Sequence, residues 1–167
     1  KNVAEGLVHQ GYQLVVLGTG EAQYEDFFSY LAYKYPGKVG VKLAFIPALA
    51  RKIYAGSDIF IMPSKSEPCG LSQMIALRYG TLSVVRETGG LRDTVSPADD
   101  NGQGGLGFTF QSYNADDFLA AIKRCLNLYN HNPEGFKALQ KRDMVQDFSW
   151  DKPAGRYMEL FHKMLNA

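Results

Sequence analysis

This 167-residue chain lacks the residues that several special chemistries require. It has only two cysteines, Cys69 and Cys125, so no disulfide framework is available, and reduced thiols of an intracellular protein are expected. Its three histidines, His9, His131 and His162, are scattered. With no Cys-x-x-Cys or His-x-x-x-His pair, metal-ligand spacing is absent. Charge of one sign is also lacking: 18 Lys and Arg stand against 17 Asp and Glu, a net charge of +1. Such a balance creates no field that would draw DNA or RNA as a general partner. No apolar run approaches the length that spans a bilayer, and no signal peptide is visible. Nor does the chain start with methionine. Val3, Leu7 and Val8 form one face of a helix stopped at Gly11, so a piece of a longer protein is expected.

What is present suits one α/β domain over 1–167, closed by a terminal helix over 150–167. Leu14–Leu17, Val41–Phe45, Asp58–Met62, Leu82–Arg86 and Gly107–Phe110 read as short strands. Between them run helical segments from Glu21 to about Tyr35, from Ala48 to Gly56 with Leu49, Ile53 and Tyr54 inward, and after Glu67 to Gly80. Asn114 caps a helix carrying Phe118, Ala121, Ile122, Cys125 and Leu128 at helical spacing. Two further helices are expected near Pro133–Gln146 and from Trp150 onward. Alternation of this kind argues for a parallel sheet flanked by helices. In such sheets ligands sit at the carboxyl ends of the strands, where Thr19, Phe45, Glu67 and Thr88 would gather.

The richest segment is Pro63-Ser-Lys-Ser-Glu67-Pro68-Cys69-Gly70-Leu71-Ser72-Gln73. It joins an apolar strand to a helix start. Amides near Gly70, Leu71 and Ser72 can meet an anion, and the Glu67 carboxylate can accept hydrogen bonds from neighbouring hydroxyls. That pairing of chemistries fits a nucleotide sugar. The same turn reads equally well as a helix start capped by Ser66 or Glu67. Thr88-Gly89-Gly90-Leu91 offers a second glycine corner, suited to a pyrophosphate or simply to a strand–helix turn. Gly18-Thr19-Gly20 lacks the third glycine of a dinucleotide fingerprint and reads as a tight turn. Phe45 could stack on a base or sit in the core. Arg51, Lys52, Arg86 and Arg92 could pair with phosphate or be solvated. Tyr33, Tyr35 and Tyr157 are expected to pack. Cys69 is expected to act through its backbone, because no histidine is near it in sequence.

Together, Pro63-Ser64-x-x-Glu67-Pro68-Cys69-Gly70-Leu71-x-Gln73, Arg78-Tyr79-Gly80-Thr81 and Thr88-Gly89-Gly90-Leu91-x-Asp93-Thr94-Val95 resemble bacterial glycogen synthases and plant starch synthases. Ala55-Gly56-Ser57-Asp58 and Phe148-Ser149-Trp150 extend the likeness over nearly the whole chain. The resemblance implies the C-terminal, Rossmann-like donor domain of a GT-B fold. It implies retaining transfer of glucose from ADP-glucose to the non-reducing end of an α-1,4-glucan, without a metal cofactor, in bacterial cytoplasm or a plastid; a UDP-glucose-dependent transferase and a non-catalytic nucleotide-binding module are the alternatives. By position, Glu67 would bind glucosyl hydroxyls, and Cys69, Gly70 and Leu71, followed by Ser72, would meet the sugar and distal phosphate. Thr88, Gly89 and Gly90 would line the pyrophosphate. Phe45 replaces a tyrosine that stacks on adenine. Ile75 replaces the second glutamate of more distant relatives. The family's phosphate-binding arginine and lysine, its acceptor domain and its catalytic histidine would lie upstream of Lys1. So would a central strand, whose absence would leave a gap in the sheet, an altered pairing, or a strand borrowed from another chain.

Overall fold

The computed structural model describes residues 1–166. Thirteen elements follow in the order α1 (Ala4–His9), β1 (Leu14–Leu17), α2 (Ala22–Lys34), β2 (Val39–Lys42), α3 (Pro47–Gly56), β3 (Ile59–Met62), α4 (Ser72–Tyr79), β4 (Leu82–Arg86), α5 (Gly89–Thr94), β5 (Gly107–Phe110), α6 (Ala115–His131), α7 (Pro133–Met144) and α8 (Asp151–Leu165). Every strand pairing is parallel, with Leu14 opposite Val39, Ile59 opposite Leu82, and Val84 opposite Phe108. Parallel pairing needs helical crossovers between strands, and the chain supplies them.

The strands form two sheets rather than one. β1 pairs with β2, and β3, β4 and β5 pair in that order. The interruption expected from the resemblance therefore lies between the β1–β2 pair and the β3–β4–β5 sheet. α1 spans it. Leu7 packs with Ile59, Ile61 and the core beneath β4 and β5, while Ala4 and Val8 pack with Leu31 and Val39 beneath β1 and β2. The Asn130 amide of α6 donates to the Tyr12 hydroxyl at 2.8 Å, on the segment leaving α1.

The main core lies under β4 and β5. It is built from Leu82, Val84, Phe108 and Phe110 against Ala121, Ile122, Cys125 and Leu128 of α6 and Phe136 and Leu139 of α7. The apolar face expected on α6 is thus the buried one. Asn114 caps that helix by accepting from the Asp117 amide at 2.8 Å, which satisfies one of the donors a helix start leaves unpaired.

Several expectations need correction. β2 ends at Lys42, not at Phe45. Its partner β1 has only four residues, and the Gly18 amide already closes the ladder on the Lys42 carbonyl. The Ala44 amide then turns back to the same carbonyl, and Leu43 and Phe45 point to solvent. α3 buries no residue; Leu49, Ile53 and Tyr54 are only half-buried. α7 ends at Met144, two residues early. Tyr33 and Tyr157 are exposed, so they do not pack as expected. Tyr35 does bridge elements: its hydroxyl donates to Glu5 at 2.6 Å, and His9 Nε2 lies 2.7 Å from it.

Candidate functional site

Two glycine-rich corners meet above the carboxyl ends of β3 and β4. The first runs from Pro63 to Leu71 between β3 and α4. The second is Glu87–Gly90 between β4 and α5. The Gly90 amide donates to the Glu67 carbonyl at 3.1 Å. Contact is close enough to dictate residue type. A Cβ on Gly89 would stand 2.0 Å from the Glu67 carbonyl oxygen, and one on Gly90 would stand 1.9 Å from that of Cys69. Only glycine lets two backbones approach so nearly. The paired glycines therefore serve the union of the corners, a reason the sequence alone did not supply.

α4 begins at Ser72 with Leu71 in the capping position and no side chain capping it. Ser66 and Glu67 are thus not helix caps, because the helix starts five residues beyond Glu67. The first-turn amides of α4 keep no intrahelical acceptor. Thr88 likewise precedes α5 without a capping hydrogen bond. The start of α4 therefore offers free backbone donors and a positive helix end, the usual furniture of an anion site, whereas at α5 the Gly90 and Leu91 amides are already bonded to the Glu67 and Thr88 carbonyls. Glu67 is half-buried here, Leu71 and Cys69 are exposed, and Gly70 is buried with φ 74°.

Six of the residues singled out by sequence, Glu67, Cys69, Gly70, Thr88, Gly89 and Gly90, are thereby brought together, with Leu71 and Ser72 adjoining at the start of α4. Phe45 stands apart. It is 89% exposed, in the loop after β2. Its ring stacks on no other aromatic ring among the described residues. A core role is therefore overturned, and a free ring on the surface remains. Gly18–Gly20 is an exposed turn held by the Gly20 amide on the Glu25 carboxylate at 2.8 Å.

The partners of Arg86 and the part played by Glu87 were not foreseen. Arg86 is held by the chain itself rather than freely solvated. Its guanidinium donates to the Lys65 carbonyl at 2.7 Å and the Gln111 carbonyl at 3.0 Å, tying the first corner to the end of β5. Glu87 accepts from the Thr109 hydroxyl at 2.6 Å and the Gln111 amide at 3.1 Å. Backbone carbonyl partners have no sequence signature, which is why residue types alone pointed elsewhere. Beside α4, a shallow groove is lined by Leu71, Ile75, Arg78, Val145 and Phe148. Among the described residues no cluster of His, Cys, Asp or Glu could hold a metal ion, and no helix is long and apolar enough to cross a membrane.

Comparison with known proteins accords with this geometry. The family model for glycosyl transferases group 1 matches residues 2–139. Glycogen synthase from Clostridium novyi (strain NT) is 48% identical over 99% of this chain, and that from Geobacillus thermodenitrificans (strain NG80-2) is 49% identical over 95%. The chain spans 34% and 33% of their lengths. Among solved structures, the catalytic domain of starch synthase IV from Arabidopsis thaliana, bound to ADP and acarbose, superposes with a TM-score of 0.87. It is 36% identical, and the match covers 99% of this chain and 35% of that one. A sucrose-phosphate synthase from Thermosynechococcus elongatus, 22% identical with a TM-score of 0.65 over 92% of this chain, shares the fold. The parallel sheet flanked by helices is that of the C-terminal half of a GT-B glycosyltransferase. By its sequence match and its fold together, the chain belongs to the glycosyl transferases group 1 family.

Proposed function

We propose that this chain is the donor-binding domain of a glycogen or starch synthase. It would serve transfer of glucose from ADP-glucose to the non-reducing end of an α-1,4-glucan, with retention and without a metal. The observation that carries the reading is the hydrogen-bonded union of the two corners, the Gly90 amide on the Glu67 carbonyl, which joins the Glu67 turn and the uncapped start of α4 to Thr88–Gly90. Glu67 accepts hydrogen bonds from glucosyl hydroxyls. The amides of Gly70, Leu71 and Ser72 meet the distal phosphate, with Thr88 and Gly89 along the pyrophosphate. The exposed Phe45 ring stacks on adenine once the donor is bound. The starch synthase IV structure, solved with ADP, supports a nucleoside diphosphate as a ligand of this chain. Such a reaction belongs to bacterial cytoplasm, or to a plastid in a plant protein.

The domain's own phosphate affinity is small. A helix N-terminus contributes about 0.3–1 kcal/mol to an anion, and at best about 2. A close ion pair at moderate dielectric contributes about 4. The family resemblance puts the phosphate-binding cations and the catalytic histidine upstream of Lys1, and on that reading this chain alone binds ADP weakly and makes no glucan. The test is donor competition: full-length protein is assayed for transfer to glycogen from ADP-glucose and from UDP-glucose, beside the isolated chain. Transfer from ADP-glucose by the full-length protein only is expected. Preference for UDP-glucose, or transfer by the isolated chain, would overturn the reading.

A further inference from the structure

Gln73 and Thr94 belong to neither corner, yet they join both. Gln73 is fully buried on the first turn of α4. Its Nε2 lies 2.8 Å from the Gly70 carbonyl, 3.2 Å from that of Cys69, and 3.0 Å from the Thr94 hydroxyl on α5. Thr94 in turn donates to the Gly90 carbonyl at 2.6 Å. The chain of donors has one direction: amide to Thr94 oxygen, Thr94 hydroxyl to Gly90. Turning the Gln73 amide over would press its Oε1 on two carbonyl oxygens, so the orientation is fixed by its partners. The cost is visible, because Oε1 is buried without a hydrogen bond. It rests against Gly70, where a Cβ would stand 2.4 Å from it. Burying an unpaired amide oxygen is unfavourable, and here it accompanies a side chain that holds two carbonyls back from the site.

We propose that Gln73 and Thr94 form a latch that positions the donor-binding backbone. By drawing the Cys69 and Gly70 carbonyls inward, Gln73 turns the following amides outward. By holding Thr94, it keeps the second corner in register with the first. Both are positioning residues: they touch backbone, not donor. The inference rests on the donor-domain reading above.

Full-length protein carrying Thr94→Val, Thr94→Ser or Gln73→Leu tests it, with kcat and KM measured separately for ADP-glucose and glucan. Amide exchange at Gly90 is followed in each variant. Thr94→Val should lower kcat/KM for ADP-glucose about 10- to 100-fold, the scale of a lost buried hydrogen bond, and leave KM for glucan unchanged. Thr94→Ser, which keeps the hydroxyl, should restore kcat/KM and Gly90 protection. Equal loss for both substrates, or no loss, in Thr94→Val would overturn the latch. Should Gln73→Leu fail to fold, the Thr94 pair still decides. If wild-type protein transfers no glucose from ADP-glucose, the donor-domain reading fails by itself. Gly90 exchange then decides the latch: faster in Thr94→Val but not Thr94→Ser upholds it, and unchanged exchange refutes it.

Discussion

In β4 and β5 every residue except Arg86 is buried, whereas in β1 and β2 only Val39 is. Parallel strands are ordinarily covered on both faces, and a two-stranded sheet is weak by itself. β1 and β2 fall short on both counts: Val15, in mid-strand, is 53% exposed, and the small cluster beneath them has four buried residues, Ala4, Val8, Leu31 and Val39. The other sheet rests on α6 and α7 and is locked at its carboxyl end by Arg86 and Glu87. Both glycine corners grow from this second sheet. The groups that must meet a donor to within fractions of an ångström are thus carried by the rigid half, as site precision requires. Phe45, which needs only to lay a flat ring on a base, sits on the looser half.

The contrast can be broken most severely at its strong side. Phe108→Ala removes a fully buried ring from β5 and should cost about 3–5 kcal/mol, read from denaturant unfolding. Gly90→Ala should cost about 3 kcal/mol by overpacking, since its Cβ must enter the Cys69 carbonyl; unfolding and amide exchange across the corner both report it. Next comes Asp143, buried on α7 with neither carboxylate oxygen bonded. Burial pushes its carboxyl up to about 8, only partly opposed by Arg142; burial, and secondarily the Asp143 charge, also raises the thiol of Cys125. A native carboxyl that holds its proton above the unfolded value favours the folded state at low pH. Stability from this group is therefore lost as pH rises from about 4 to about 8. Asp143→Leu should flatten that fall and raise Tm more at pH 8 than at pH 5. The smallest effect belongs to the weak half: Val15→Ala should change stability by about 0.5 kcal/mol or less, while β1 and β2 amides exchange faster than those of β4.

Much of this was legible in residue order. The apolar run Leu82–Val85 and the cap at Asn114 followed by an apolar helical face announced β4 and α6, because burial and capping act through residue type. The corners were legible as motifs. Their union was not, because it is made by backbone: the Gly90 amide on the Glu67 carbonyl, and glycines chosen for closeness rather than for turning. Arg86 misled for the same reason, since a carbonyl partner leaves no trace in sequence. Phe45 was misplaced because β2 can be no longer than its four-residue partner, a tertiary limit on a locally plausible strand. Asp143 gave no warning, as a charged residue on an amphipathic helix ordinarily faces water.

The most direct measurement concerns Glu67. In full-length protein, Glu67→Ala is compared with wild type for turnover with ADP-glucose and, by calorimetry, for ADP affinity. ADP carries no glucosyl group, so turnover should collapse while ADP affinity changes little. Intact turnover with a large loss of ADP binding would contradict the role given to Glu67 and, with it, the placement of the sugar at the first corner.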